Sequence, residues 1–298
     1  MVGPTAAGKT AVAVELARRT GGEIVSFDSR QVYLGLKVTS SAPTSIELGG
    51  VVAHLVAQLD PSEEMTAARY VALVRQAVLT IPDGRQVVIT AGTGMYLKAY
   101  LEDLDLGGMG AVPALRESLE ADARRDLPAL ARRLTELSPD LAAQTDLSNP
   151  ARVVRRMELL VAAAFAEDGA DAAERGGRHP VKAVKVGLAV PPDVLEGRIA
   201  ARLEWMLESG WREEVEALLV RRPAPCRQVM TSIGVAEMVA HIRGEMNSTQ
   251  LRDAVLVRTR QYAKRQRTWF RGDPEVRWLD AGNRTASDIV EQVHEMLS

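Results

Sequence analysis

Residues 3 to 10 read Gly3-Pro4-Thr5-Ala6-Ala7-Gly8-Lys9-Thr10, which satisfies the G-x-x-x-x-G-K-[ST] pattern of a phosphate-binding loop. Glycines let such a loop turn tightly enough to aim successive N–H groups at phosphate oxygens, and the following helix adds the positive end of its dipole. Lys9 supplies a point charge for the terminal phosphate. The Thr10 hydroxyl supplies a ligand for a Mg2+ ion that the phosphates already hold. All eight residues, Gly3, Pro4, Thr5, Ala6, Ala7, Gly8, Lys9 and Thr10, form the expected anion-binding set. The bland alternative is a glycine-rich turn that merely precedes a helix.

A phosphate loop normally hangs from the end of a buried strand, and here only Met1 and Val2 come before it. The first strand is therefore a stub, or the chain as given starts late. After the loop, Val12, Ala13, Leu16 and Ala17 recur at helical spacing, and Gly21-Gly22 stops the helix. Glu23 to Phe27 reads as a short buried strand ending at Asp28-Ser29. A polar stretch from Thr39 to Gly50 reads as a loop, Val51 to Leu59 as a strand, and Met65 to Leu79 as a helix. Gln86 to Thr90 is an apolar β-branched run, followed by the turn Ala91-Gly92-Thr93-Gly94 and a helix from Met95 to Leu101. This recurrence of strand, turn and helix predicts an α/β fold, a P-loop NTPase-like doubly wound parallel sheet whose ligands lie beyond the carboxyl ends of its strands. Asp28 and Thr93 both fall at such ends and could face the phosphate loop. Asp28 could equally be a simple strand-end cap.

From Pro113 to Phe165 helical segments rich in Ala, Leu and Arg follow one another without a strand. Glu167 to Pro180, rich in Gly, Ala, Asp and Arg, reads as a mobile loop. Val184 to Val190 restores a strand. The expected organisation is a core of residues 1–108 and 183–298 around an all-helical insertion of residues 109–182. Beyond it, the helical stretch Val194 to Ser209 places Arg198 and Arg202 four residues apart on one face. They could clamp an anion or pair with Glu196, Glu204 and Glu208 of the same helix.

At 298 residues and 46% apolar content, the chain can bury one large core or two smaller ones. The single cysteine, Cys226, excludes an internal disulfide and a cysteine metal cluster. No apolar run is long enough to span a bilayer and no signal-peptide order is present, so a cytoplasmic location with no membrane partner is expected. The net charge of −2 does not advertise a polyanion partner, but its distribution does. Arg258, Arg260, Lys264, Arg265, Arg267 and Arg271 follow one another with no acid between them, interleaved with Tyr262, Trp269 and Phe270. Arg260, Lys264, Arg267 and Arg271 share one helix face, suited to a nucleic-acid backbone or, more blandly, to solvent.

With these residues in hand, the chain resembles the tRNA dimethylallyltransferases, also called tRNA isopentenyltransferases, almost end to end. The marks are the phosphate loop, Asp-Ser-Arg-Gln-Val-Tyr at 28–33 and Gly-Thr-Gly-Met-Tyr-Leu-Lys-Ala at 92–99. They continue with Asn-Pro-Ala-Arg-Val-Val-Arg-Arg-Met-Glu at 149–158 and Thr-Arg-Gln-Tyr-Ala-Lys-Arg-Gln-Arg-Thr-Trp-Phe at 259–270. The resemblance implies transfer of a dimethylallyl group from dimethylallyl diphosphate to the exocyclic N6 amine of adenosine at position 37 of tRNA, 3′ of the anticodon, with release of diphosphate and Mg2+ as cofactor. It implies Asp28 as the base, with Thr93, Lys9 and Arg202 as the other catalytic residues. It implies that Thr5 and Thr93 position the diphosphate and the amine. It implies RNA contacts from Asp28, Ser29, Arg30, Gln31 and Thr93, from Arg116, Arg152 and Arg155 of the insertion, and from Arg260, Lys264 and Arg267.

The chain departs from the family pattern at 35–43, where Gly-Leu-Lys-Val-Thr-Ser-Ser-Ala-Pro replaces Gly-Leu-Asp-Ile-Gly-Thr-Ala-Lys-Pro. It departs again at Val235-Ala236 and at Ala151. A monomer is expected. The rival readings are a small-molecule kinase, a prenyltransferase acting on free adenine nucleotides, and a non-catalytic RNA-binding protein. The first two have no need of the basic stripe.

Overall fold

A computed structural model describes residues 1–104, 113–166 and 180–297, arranged as two compact units, Met1–Leu104 with Pro180–Ser298, and Asp105–His179. The loop expected at 167–180 falls, apart from Pro180, outside the described residues, as does the expected boundary at 109.

The first unit begins with α1 (Lys9–Thr20), β1 (Glu23–Phe27), α2 (Lys37–Ser40), α3 (Ser45–Leu48), β2 (Ala53–His54), α4 (Ala67–Thr80), β3 (Val87–Ala91) and α5 (Gly94–Leu101). The second holds α6 (Pro113–Leu137), α7 (Pro139–Ala143) and α8 (Pro150–Ala166). The chain then returns to the first unit as β4 (Val186–Ala189), α9 (Pro192–Glu208), α10 (Trp211–Val220), α11 (Arg227–Met230), α12 (Val235–Ile242), α13 (Ser248–Arg271), β5 (Arg277–Asp280) and α14 (Ala286–Leu297). This is a mixed α/β architecture.

Every strand pairing is parallel: β2-β1-β3 form one ladder and β4-β5 another. Val2, one residue before the phosphate loop, bridges both, pairing in parallel with Ala91 of β3 and Gly187 of β4. Its N–H donates to the Val186 carbonyl at 2.8 Å and its own carbonyl accepts from Leu188 at 2.9 Å. The loop thus leaves the middle of the strand array, flanked by the carboxyl end of β3. Buried Val12, Leu16, Ile24, Val88, Leu188 and Val290 pack α1 and α14 onto the strands. Each such side chain contributes about 1.5–3 kcal/mol by leaving water. Phe27, fully buried, meets the rings of Tyr70 and Tyr100 at centroid distances of 5.8 and 5.5 Å.

Two expectations are corrected. The strand expected at 51–59 is only Ala53–His54, because Leu55 and Ala57 take left-handed φ values of 60° and 49° that turn the chain out of the ladder. The N–H groups of Ala57, Gln58 and Leu59 donate instead to the carbonyls of Gln31 and Val32. The loop expected at 39–50 contains α3, which starts at a Thr44/Glu47 capping box, and the end of α2. Helix α2 is capped from outside, by the Glu214 carboxylate, which accepts from Val38 N and Thr39 N at 2.8 Å each.

In the second unit, Leu119, Leu130, Leu134, Val153, Val154 and Met157 form a separate core. Helix α6 is broken at Asp126, whose backbone is non-helical (φ −155°, ψ 84°) two residues before Pro128. Proline bars the preceding residues from continuing the helix, and the Asp126 carboxylate restarts it by accepting from Ala129 N at 2.9 Å. Among the described residues no helix is long and apolar enough to cross a membrane.

Candidate active site

The phosphate loop closes on itself. Ala6 and Gly8 have φ values of 60° and 88°, the left-handed turns that fold successive N–H groups toward one side before α1 begins. The Lys9 ammonium donates to the carbonyls of Gly3 at 3.0 Å and Pro4 at 2.7 Å. Burial pulls the Lys9 pKa down to about 8, the attraction of Asp28 opposing the drop and the nearby Arg202 adding to it.

Loop residues Thr5 to Thr10, Asp28 to Gln31, Arg202, Tyr262 and Gln266 line one cleft of about 500 Å³. Its lining also includes the aliphatic side chains of Leu36, Ile199, Leu203, Met206 and Ile233. Arg202 reaches the loop from α9: its guanidinium donates to the Thr5 hydroxyl at 2.7 Å and to the Thr39 carbonyl at 3.4 Å. Burial lowers its pKa and Asp28 opposes that. Arg198, one turn earlier, donates to the carbonyls of Ala281 and Gly282 at 3.0 and 2.7 Å and so holds the segment after β5. The two arginines do not form a joint clamp. Among the described residues no ion pair joins either arginine to an acid of the same helix, and Glu196 and Glu204 instead pair with Arg260 and Arg252 of α13.

Asp28 serves its own turn and also faces the cleft. One carboxylate oxygen accepts from the N–H groups of Arg30 at 2.8 Å and Gln31 at 3.3 Å. The other lies over Gly92, 3.3 Å from where a Cβ would stand, so only glycine leaves it clear. Gly92 N and Thr93 N both donate to the Phe27 carbonyl, at 3.2 and 3.1 Å, which sets the turn after β3 against the end of β1. The Thr93 hydroxyl accepts from Ser29 N at 3.4 Å, and the Tyr262 hydroxyl stands by the same turn, 4.0 Å from where a Cβ on Gly92 would lie. Burial and the charge of Asp28 push that phenol well above its ordinary range. Arg30 donates to the Ser29 carbonyl at 3.3 Å. The Gln31 amide is committed inward, accepting from the Ser26 hydroxyl at 3.1 Å and donating to the Ser41 carbonyl at 3.1 Å.

Helix α13 has two faces. Inward, Gln266 is buried and its carboxamide bridges two distant segments, accepting from Thr5 N at 2.7 Å and donating to the Gly92 carbonyl at 2.8 Å. Sequence reasoning singles out neither Gln266 nor the hydroxyl of Tyr262. The available signal is their four-residue spacing, opposite the basic face. Outward, Arg260, Lys264, Arg267 and Arg271 are exposed or half-buried along one side, and Arg265 stacks its guanidinium 5.9 Å from the Tyr262 ring centre. Arg258 and Arg260, isolated from acids in sequence, find Glu237 and Glu196 in space.

In the second unit, Arg116 and Arg155 converge on the buried Glu158, at 3.7 and 3.3 Å, and Arg152 lies 3.7 Å from Asp146. Among the described residues no group of three His, Cys, Asp or Glu side chains is arranged to hold a metal. Thr10 lines the cleft at the start of α1.

The IPP transferase family model matches residues 31–273. A tRNA dimethylallyltransferase of Syntrophobacter fumaroxidans is 36% identical over 95% of this chain and 83% of its own length. One from Anaeromyxobacter dehalogenans is 40% identical over 94% of this chain and 93% of its own. The crystal structure of the full-length tRNA isopentenylpyrophosphate transferase of Bacillus halodurans superposes with a TM-score of 0.72 at 32% identity, covering 99% of this chain and 93% of that one.

Proposed function

The chain belongs to the IPP transferase family, and we infer from that membership and from the cleft that it transfers a dimethylallyl group to tRNA, at the N6 amine of the adenosine 3′ of the anticodon. The observation that carries the reading is the convergence of Lys9, Arg202 and Asp28 with the phosphate loop around one cleft whose lining also includes aliphatic side chains, the Thr93 hydroxyl lying next to it as acceptor of Ser29 N. A prenyl diphosphate needs both halves: cationic groups and N–H donors for its head, and aliphatic surface for its tail.

In this reading the diphosphate head lies in the loop of residues 3–10, with Lys9 and Arg202 stabilising the charge that grows as the C1–O bond breaks. Thr10 is the residue that would hold a Mg2+ ion alongside the phosphates, and the ion would supply further charge neutralisation to the leaving diphosphate. The adenine amine, a weak nucleophile, forms the new N–C bond while Asp28 accepts its proton and Thr93 orients it. A stacked base must leave the anticodon loop to reach Asp28, so the RNA is held outside the cleft. Lys264 and Arg267 on the outer face of α13, with Ser29 and Arg30 at the cleft edge, are the groups placed for that task in the first unit. The parallel pairing on both sides of Val2 supports a P-loop NTPase-like doubly wound core. In this reading the protein acts as a monomer in the cytoplasm. A small-molecule kinase is disfavoured, because it gives the outer basic face of α13 no purpose.

The test is to incubate the protein with Mg2+, labelled dimethylallyl diphosphate and two unmodified tRNAs that differ only in carrying adenosine or guanosine 3′ of the anticodon. Label retained by the first alone supports the reading. Label in both, or in neither, overturns it.

A further inference from the structure

Every N–H of a phosphate loop is ordinarily counted as an anion donor, yet Thr5 N is directed elsewhere, to the Gln266 side chain 261 positions away. Gln266 is 5% exposed, its amide oxygen accepting from Thr5 N and its amide nitrogen donating to the Gly92 carbonyl. Those two partners belong to the two halves of the reaction. Thr5 belongs to the loop and takes Arg202 on its hydroxyl, while Gly92 precedes Thr93 and lies under Asp28. One turn earlier on α13, the Tyr262 hydroxyl approaches the same turn, 4.0 Å from where a Cβ on Gly92 would stand. The link needs a neutral group that accepts at one end and donates at the other. A carboxylate cannot donate, and an ammonium or guanidinium cannot accept. Space is also limiting, since a Cβ on Gly92 would stand 3.1 Å from the Gln266 nitrogen.

We propose that Gln266 is a positioning residue for prenyl transfer, fixing the separation between the diphosphate-holding loop and the Asp28–Thr93 turn that presents the acceptor amine. The inference rests on the prenyl-transfer reading above. Because its two hydrogen bonds go to backbone groups of the loop and of the turn, the loss of Gln266 acts on alignment. Misplacement of reacting groups by about 1 Å lowers rates about 100-fold without a matching loss of ground-state affinity.

The test compares the wild-type protein with Gln266→Met, which keeps length and removes both hydrogen bonds, and Gln266→Glu, which keeps the acceptor toward Thr5 and loses the donor toward Gly92. Single-turnover transfer is measured at saturating tRNA and dimethylallyl diphosphate, together with the Kd of each substrate and the Tm. Gln266→Met is expected to transfer about 30- to 100-fold more slowly, with both Kd values within about threefold of wild type. Gln266→Glu should lose rate similarly and also bind the diphosphate more weakly, since it adds negative charge beside the loop. If the methionine variant fails to fold, the glutamate variant carries the test, its excess rate loss over affinity loss being the signature. A saturated rate within threefold of wild type in the folded variant would overturn the proposal. So would a loss confined to the two affinities, which is what a merely structural role predicts. Wild-type protein inactive in transfer would instead overturn the reaction assigned above.

Discussion

The cations of the cleft and the arginines of the helical unit meet different kinds of partner. In the cleft, Lys9 is held by backbone carbonyls and Arg202 by a hydroxyl and a carbonyl, partners that fix position without cancelling charge. In the helical unit, Arg116 and Arg155 face the buried carboxylate of Glu158, and Arg152 faces Asp146. A cation on neutral partners keeps its field for an incoming anion, whereas a cation on a carboxylate has spent most of it on the fold. Charge alone does not identify a site. The identity of the partner atoms does, and α13 shows the same contrast in miniature: Arg258 and Arg260 have acidic partners, while no ion pair among the described residues engages Lys264 or Arg267.

The sharpest way to break this contrast is Arg202→Ala, which should slow transfer about 100- to 1,000-fold, the usual loss on removing one group that stabilises developing charge. Single-turnover rates check it. Arg202→Lys should recover little, because the fork that reaches both Thr5 and Thr39 is lost. Next, reversing charge at Lys264 and Arg267 together should weaken tRNA binding about tenfold near 0.1 M salt and flatten the salt dependence by about 1–2 in log–log slope. Filter binding across a salt series would show it, and unchanged binding returns this face to solvent.

A several-fold effect is expected from pH. Lys9, lowered to about 8, is protonated below that value and loses its charge above it. Affinity for the diphosphate should therefore fall as pH rises through about 8, and a Lys9→Arg variant should be flat across that window. The smallest effect on transfer belongs to the helical unit. Glu158→Gln leaves Arg116 and Arg155, both partly exposed, without their buried anion. It should cost about 1–2 kcal/mol in urea unfolding while the rate of the bound complex stays within twofold. A large rate loss there would erase the distinction between the regions.

What was legible in the sequence was local. The phosphate loop, Glu23–Phe27 and the helix after Gly92 depend on neighbours within a few residues, and each lies where periodicity and turn chemistry put it. What was not legible depended on distant partners. Helix α2 is capped by Glu214, more than 170 positions away, and β5 exists by pairing with β4 across some ninety residues. Leu55 and Ala57 continue an apolar pattern that reads as strand, yet the carbonyls of Gln31 and Val32 capture their segment. Spacing could not separate Arg198 from Arg202, because both lie on one helical face. One turn of rise decides which meets the loop and which meets the segment after β5. Gln266 sat inside a basic run and was hidden by it.

The most direct test of the account is a single pair of measurements on Asp28→Asn: single-turnover transfer of labelled dimethylallyl to tRNA, and tRNA affinity on the same preparation. Asparagine keeps the oxygen that caps Arg30 and Gln31 but cannot take a proton. The account predicts a rate about 100- to 10,000-fold lower with tRNA affinity within twofold of wild type. An unchanged rate, or equal loss of rate and affinity, would make Asp28 only the cap of its turn and contradict the assignment of the cleft.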